Sequence, residues 1–520
     1  MTSKPIDTRY FEPSEDQMIN LLAQIKDWQI NHGLLLKLIQ SEEEHSVLSY
    51  PVGVSVFPTP FPRTLFNRAI NLQKIYNELY CVIAEDEDWL YSVTEDLIAV
   101  EPLARALWGI YHETQKAGIV QEISAGIFRS DYMLHLNDGN GAESSGSIFE
   151  TTLKQVEFNA FSCAGGGHAN RVADMHRYLT RTGAYELGQE QYGKERIDIG
   201  SLPKSNNIEG IASCLATAHA IYGPPRTQSA QRMAVLFIVQ PNNFNTADER
   251  PIEYALWDRD EPVPAYRLNW GDILRDTSLT ESRQLLFHPP WIKSQSPVEI
   301  SVVYMRAGYE AHEYDNIGYQ ARLQLEKSTA IKCPSILSHI STFKKVQQAL
   351  TAHGTLERFL FPEKAAAVRG TFISLYPLDE TAAGLHARQL ATDPKGSTGF
   401  ILKPSLEGGG HNVYGTEIPD FLSSVSQSEW SSYVLMERIM PPTQQNVLMG
   451  PAGVAEGKVV SELGIFSACL WRRRTDSNRR CEIIENSTAG WSFKTKYAEI
   501  DEMSVVKGYG CFDTPRLIED

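Results

Sequence analysis

The run Phe400-Ile401-Leu402-Lys403-Pro404-Ser405-Leu406-Glu407-Gly408-Gly409-Gly410-His411-Asn412-Val413-Tyr414 constrains this chain more than any other stretch. It opens as an apolar strand, Phe400 to Leu402, and Lys403 stands at the strand's end. Four residues later comes Glu407, followed by three glycines. Without a Cβ, successive glycines let backbone N–H groups approach a ligand, and mobile loops of this kind close over phosphates. A lysine can neutralise phosphate charge, and a carboxylate offers Mg²⁺ the oxygen donors it prefers. A flexible surface turn also tolerates three glycines. The lysine and glutamate beside them tilt the reading toward a nucleotide.

The chain has 520 residues, enough for two or three domains. Its formal net charge of −16 argues against non-specific nucleic-acid binding, which needs a basic footprint. It leaves room for a local basic cleft. The seven cysteines are scattered, without a CxxC, as expected of reduced thiols in a cytoplasmic protein. Met1 to Gln17 carries no apolar core of a secretory leader, and the longest apolar run, Met233 to Val239, is too short to span a membrane.

Along the chain, apolar spacing predicts helices over 17–40, 63–85 and 101–116. The acidic run Glu85 to Asp88 reads as an exposed helix end. Strands are predicted over 127–136 and 152–160. In the second, strict alternation puts Gln155, Glu157 and Asn159 on one face, with Val156 and Phe158 on the other. That face can hold a hard cation or simply meet solvent. Gly165-Gly166-Gly167 opens a helix over 169–182, whose free N–H groups would seat a carboxylate. Cys163, His168 and His176 lack the paired spacing of a zinc site. Residues 183–208 read as a linker and 208–222 as a helix. The pattern strand 233–240, helix 248–257, strand 265–268, strand 300–305 predicts a small inserted α/β domain. Helices are expected over 321–332 and 344–351, strands over 433–437 and 459–466. The basic cluster Arg472-Arg473-Arg474 with Arg479-Arg480 reads as an exposed loop. Three parts follow: 1–230, 231–343 and 344–520.

Lys403-Pro404-x-x-Glu407-Gly408-Gly409-Gly410-x-Asn412-x-Tyr414 resembles the glycine-rich loop of eukaryotic glutathione synthetases, which are ATP-grasp ligases. The similarity continues, in the family's order, through Phe128-Arg129-Ser130-Asp131-Tyr132-Met133, Gln155-Val156-Glu157-Phe158-Asn159, Lys344-Lys345-Val346-Gln347-Gln348, Leu435-Met436-Glu437 and Ser461-Glu462-Leu463-Gly464-Ile465-Phe466. The resemblance implies an α/β ATP-grasp core with a glycine-rich lid and an inserted substrate domain. It implies ATP and Mg²⁺ as cofactors and small-molecule substrates, in a cytoplasmic homodimer that binds neither nucleic acid nor membrane. Lys344, Lys403 and Gly408 to Gly410 would lie on the phosphates, and Glu157, Asn159 and Glu407 on Mg²⁺. His411, Asn412, Tyr414, Met436, Glu437, Arg438, Ile439, Glu462 and Lys496 would contact the nucleotide. Arg129, with Lys403 and Lys494, would serve catalysis by stabilising developing negative charge. Substrates would meet Arg129, Phe161, Ser162, Cys163, Ala164, Arg306, Ala307, Gly308, Tyr309, Val505 and Val506.

The chain departs from the resembled pattern at both substrate ends. The family's Glu-Arg-Asn-x-x-Asp-Gln-Arg, which helps hold the γ-glutamyl end, reads Asn243 to Arg250, with Asn243 for the glutamate and Glu249 for the glutamine. Ala307 replaces an aspartate. Lys494 stands where an arginine grips the glycine carboxylate, keeping charge but losing the bidentate fork. Met503-Ser504-Val505-Val506-Lys507 replaces a Gly-Gly-Val-Ala-Ala loop. One charged hydrogen bond lost from a buried site weakens binding roughly 30- to 150-fold. The expected function is ATP-dependent carboxylate–amine ligation of the glutathione synthetase type, or a divergent relative joining another acid to another amine. A kinase and a non-catalytic ATP-binding regulator are the rivals.

Overall fold

The computed structural model describes residues 13–37, 48–136, 148–186, 197–230, 232–291, 296–405, 411–474 and 481–519. Among these, thirteen strands form one mixed sheet. Its middle is a long ribbon in which Gly453–Arg473 pairs antiparallel with Cys481–Tyr497 and with Ile123–Leu136. The predicted strand 459–466 is a section of that ribbon. Both faces are covered, so its apolar residues run without a polar alternate. Leu463, Ile465 and Trp471 pack beneath the helix Arg63–Ala84. Phe466, Ala468 and Leu470 pack beneath Asn207–Tyr222.

Beyond Ile123–Leu136 the sheet continues through parallel strands: Ile331–Cys333, Val298–Met305, Arg232–Val239 and Ala265–Asn269. Parallel neighbours need crossovers, which the helices Thr246–Trp257 and Asn316–Lys327 supply. A separate four-stranded antiparallel sheet contains Leu375–Pro377, Tyr433–Glu437, Phe400–Pro404 and Val413–Tyr414. It meets the large sheet where Ile373, Leu375, Val434, Met436 and Ile439 pack on Met133 and Val156. No described helix is long and apolar enough to cross a membrane.

Several expectations are corrected. The first helix is Glu15–Asn31; Gly33 turns left-handed (φ 64°) and Leu35–Lys37 pairs as a strand with Ser49–Pro51. The helix predicted over 321–332 is Asn316–Lys327, and Ile331–Cys333 is a strand. The acidic run is no exposed helix end. Asp86 is fully buried, caps the helix Glu87–Val100 at Trp89 N and receives Arg358, while Glu85 accepts from Trp471 Nε1 at 2.8 Å. Arg472 and Arg473 belong to the long strand rather than a loop, pairing with Glu482 and Glu85. Arg479 and Arg480 lie outside the described residues.

The strand Thr151–Asn159 breaks its own alternation. Asp131 pairs with Glu157 and Tyr132 with Gln155, which leaves Val156 as an extra residue in a bulge. Gln155 therefore turns into the core, where Tyr76 Oη donates to it at 3.0 Å. Phe158 still points inward and stacks on Tyr80, centroids 3.6 Å apart. Val156, Glu157 and Asn159 are left facing the opposite side.

Candidate active site

That opposite side is the wall of a cleft of about 1120 Å³ between the two sheets. Seven Lys and Arg side chains line it against six carboxylates, a local balance unlike the chain's −16. Lys344, the first residue of a helix, reaches Glu157 Oε2 at 2.9 Å. Lys403, from the four-stranded sheet, donates to Val156 O at 3.3 Å and is 5% exposed. Burial pushes the Glu157 carboxyl up, but Lys344 and then Lys403 outweigh it and hold it well below the usual carboxylate range. Burial lowers the Lys403 ammonium in turn. Two cations face Glu157 here, and Glu462 and Glu502 act on Lys403 as well.

Next along the wall, Arg129 makes a two-pronged contact with Asp131, both bonds 2.7 Å, and its Nη1 donates to Ala164 O at 3.1 Å. Asn159 Nδ2 also reaches Asp131 at 3.1 Å. On the opposite strand Gly464 makes room for this seat: a Cβ there would lie 2.6 Å from Asp131 Oδ1 and 3.0 Å from the Arg129 chain. Asp131 was missed as a functional residue, although its spacing of two from Arg129 on one strand signals a shared face.

Further on, Arg306 donates to Cys163 O at 2.7 Å and to Glu249 at 3.2 Å. Asn243, Tyr309, Phe161 and Ser162 line the same end. Ala307 and Gly308 are not brought to the cleft: Ala307 is buried in the core below, and Gly308 N donates to Glu313. The helix Gly166–Arg181 does seat a carboxylate, but the chain's own. Asp248 accepts from Gly165, Gly167 and His168 N at 2.7–3.1 Å. Cys163 is buried with its thiol on Ile127 O.

The third end joins Lys494 to Glu462 at 2.5 Å, directly across paired strands. Burial raises the Glu462 carboxyl against the pull of Lys494. Val505 and Val506 line it from a turn closed by a Ser504–Tyr509 bridge. Lys496 donates to the Ile500 and Asp501 carbonyls. Met436, Glu437, Arg438 and Ile439 form the remaining wall, fixed by Glu437 N on Ser374 O and Arg438 N on Gly399 O. His411, Asn412 and Tyr414 complete it, with Tyr414 Oη donating to Glu502 at 2.9 Å. Asp501, Glu502, His135 and Gln240 line the cleft without having been singled out in sequence. Glu407, Gly408, Gly409 and Gly410 lie outside the described residues.

Residues 15–517 match the family "Eukaryotic glutathione synthase, ATP binding domain". Similar curated proteins include the glutathione synthetase large chain of Schizosaccharomyces pombe, 30% identical over 97% of this chain and 98% of that one. Glutathione synthetase of Dictyostelium discoideum is 31% identical (97% and 100% covered), and that of Bos taurus 33% (96% and 97%). A solved glutathione synthetase-like effector from Globodera pallida, in its apo form, superposes with a TM-score of 0.71 at 20% identity, covering 97% of this chain and 98% of that one. That likeness speaks for the fold. Together with the family match it makes the protein an ATP-grasp ligase with an ATP-binding domain. The chain belongs to the eukaryotic glutathione synthetase family.

Proposed function

We propose that this protein joins a carboxylic acid to an amine by way of an acyl phosphate, consuming one ATP per amide bond. A carboxylate is a poor electrophile at neutral pH and must be activated. The γ-phosphoryl group passes from ATP to the carboxylate oxygen, and ADP leaves. The amine then attacks the acyl carbon, and inorganic phosphate leaves as the amide forms. The observation that carries this reading is the convergence of Lys344 and Lys403 on Glu157, beside the Arg129–Asp131 seat. The lysines suit transferring phosphate, and Arg129 suits the negative charge of the acyl phosphate and tetrahedral intermediate.

The donor set also fits Mg²⁺. Glu157 stays ionised and Asn159 has an amide oxygen beside it, both hard donors. Mg²⁺ characteristically keeps several waters and takes substrate phosphates beside one or two carboxylates. When bound, the ion would neutralise phosphate charge. Glu407 is proposed as a further ligand, with Gly408 to Gly410 as a closing loop. Met436 to Ile439 would hold the base, and Tyr414, Glu462 and Lys496 the rest of the nucleotide. The parts 1–230, 231–343 and 344–520, a homodimer and a cytoplasmic location remain part of the proposal.

Two substrate readings stand within it. One is glutathione synthesis from γ-glutamylcysteine and glycine. The other is ligation of a different acid or amine, favoured by the carboxylate at Glu249 on Arg306 and by Lys494 where the family carries arginine. The test is ADP release with Mg-ATP, an acid and an amine. Glu407→Gln and Glu157→Gln are each expected to lower turnover about 100-fold or more. Unchanged turnover would remove the site assignment, and a released phosphorylated product without amide would favour a kinase.

A further inference from the structure

Glu249 lies in the first turn of the helix Thr246–Trp257 and is 4% exposed. It accepts from Asn243 Nδ2 at 2.5 Å and Arg306 Nε at 3.2 Å, and Arg267 Nη1 stands at 3.3 Å. Arg306 is 5% exposed, and its Nη1 is already given to the Cys163 carbonyl. Arg267 is shared with Glu253. Glu249, Asn243 and Arg306 all line the cleft.

A guanidinium buried against a carboxylate of its own chain has no unbalanced charge for a second carboxylate. Seating one there means displacing Glu249 or burying an uncompensated anion, and both are unfavourable. At the other end Lys344 and Lys403 face Glu157, and Glu462 and Glu502 also act on Lys403. Asn243, a half-buried lining residue, donates to Glu249 and helps hold its carboxylate on Arg306. A carboxylate has about four acceptor sites, which leaves Glu249 able to receive a further N–H donor.

Building on the ligase reading, we propose that Glu249 sets donor specificity by capping Arg306, so that the protein takes a carboxylic acid whose far end carries an ammonium or neutral polar group and no second carboxylate. The reacting carboxylate remains at the Arg129 and Lys403 end.

Two probes isolate the point: γ-glutamylcysteine and N-(4-aminobutanoyl)cysteine, which differ only in that far carboxylate. Their dissociation constants are measured by calorimetry with Mg²⁺ and a non-hydrolysable ATP analogue, on the full chain. The wild type is expected to bind the carboxylate-free probe at least as tightly as γ-glutamylcysteine. Glu249→Gln, which uncaps Arg306, is expected to shift the ratio toward γ-glutamylcysteine by tenfold or more. The double variant Asn243→Glu/Glu249→Gln, which keeps net charge, is expected to shift it the same way and carries the comparison if the single variant does not fold. A wild type that prefers γ-glutamylcysteine tenfold, or binds neither probe, overturns the inference. So does a ratio unchanged in the folded variants. ADP release is run beside this. Its absence with every acid and amine contradicts ligation, while the binding ratio still decides the role of Glu249.

Discussion

Lys344 Nζ stands 2.9 Å from Glu157 Oε2, tying the helix Lys344–Leu350 to the bulged end of the strand Thr151–Asn159. The contact fixes a sign for acid sensitivity. The Glu157 carboxyl is held below its ordinary value, about 4.3 in an unfolded chain. Its contribution to stability is therefore complete above that value and is lost as pH falls through the folded pKa. Thermal midpoints of wild type and Glu157→Gln are expected to differ most at pH 7 and to begin drawing together only as pH falls below about 4, the gap closing as pH passes the folded pKa. A constant gap across that range contradicts the pairing.

Glu85 behaves in the opposite sense. Burial raises its carboxyl to about 7, against Trp471 and Arg473. The unfolded chain then gives up this proton first, so folding loses stability as pH rises from about 4 to 7. Glu85→Gln keeps an oxygen for Trp471 Nε1. Relative to wild type it is expected to gain about 3 kcal/mol between pH 4 and pH 8, read from urea unfolding. No change of the difference with pH would show that Glu85 stays ionised.

Gly464 is where a single methyl group meets the chemistry. Its added Cβ would press on Asp131 Oδ1 at 2.6 Å and on Ser492 Oγ at 2.6 Å. Gly464→Ala is expected to cost about 1–3 kcal/mol of stability by overpacking. Turnover is expected to fall at least tenfold, because the Arg129 fork is displaced from Asp131. Full activity in a folded variant would detach the fork from catalysis.

All seven cysteines are buried and unpaired by disulfides. Burial raises the thiols of Cys81, Cys214, Cys333, Cys481 and Cys511. A native thiol titration is expected to find fewer than one reactive group within minutes, and seven after denaturation. Rapid labelling of the native protein would contradict this packing.

What the sequence made legible was chemistry placed on regular elements. Lys403 ends a strand, Arg129 sits in another, and Glu157 and Asn159 keep their common face because the bulge lies just before them. The same bulge defeated the reading of Gln155, since one extra residue reverses alternation and leaves no mark in composition. Asp248 was equally hidden. Its partners, Gly165 to His168, lie some eighty residues earlier, and only the fold shows that the open helix end is filled from within. Glu85 and Asp86 read as surface because acidic runs usually are, yet Trp471 and Arg358 reach them from far along the chain. Asn243 and Glu249 were visible as letters, but the 2.5 Å contact between them needed the fold.

The central claim is activation of a carboxylate by phosphoryl transfer, and oxygen-isotope transfer tests it most directly. A donor acid labelled with ¹⁸O in its reacting carboxylate is turned over with Mg-ATP and an amine, starting with γ-glutamylcysteine, N-(4-aminobutanoyl)cysteine and glycine. The inorganic phosphate is then analysed by mass spectrometry. One ¹⁸O in phosphate for each amide formed is the expected result. Phosphate without label, or ADP formed without any amide, would contradict the account.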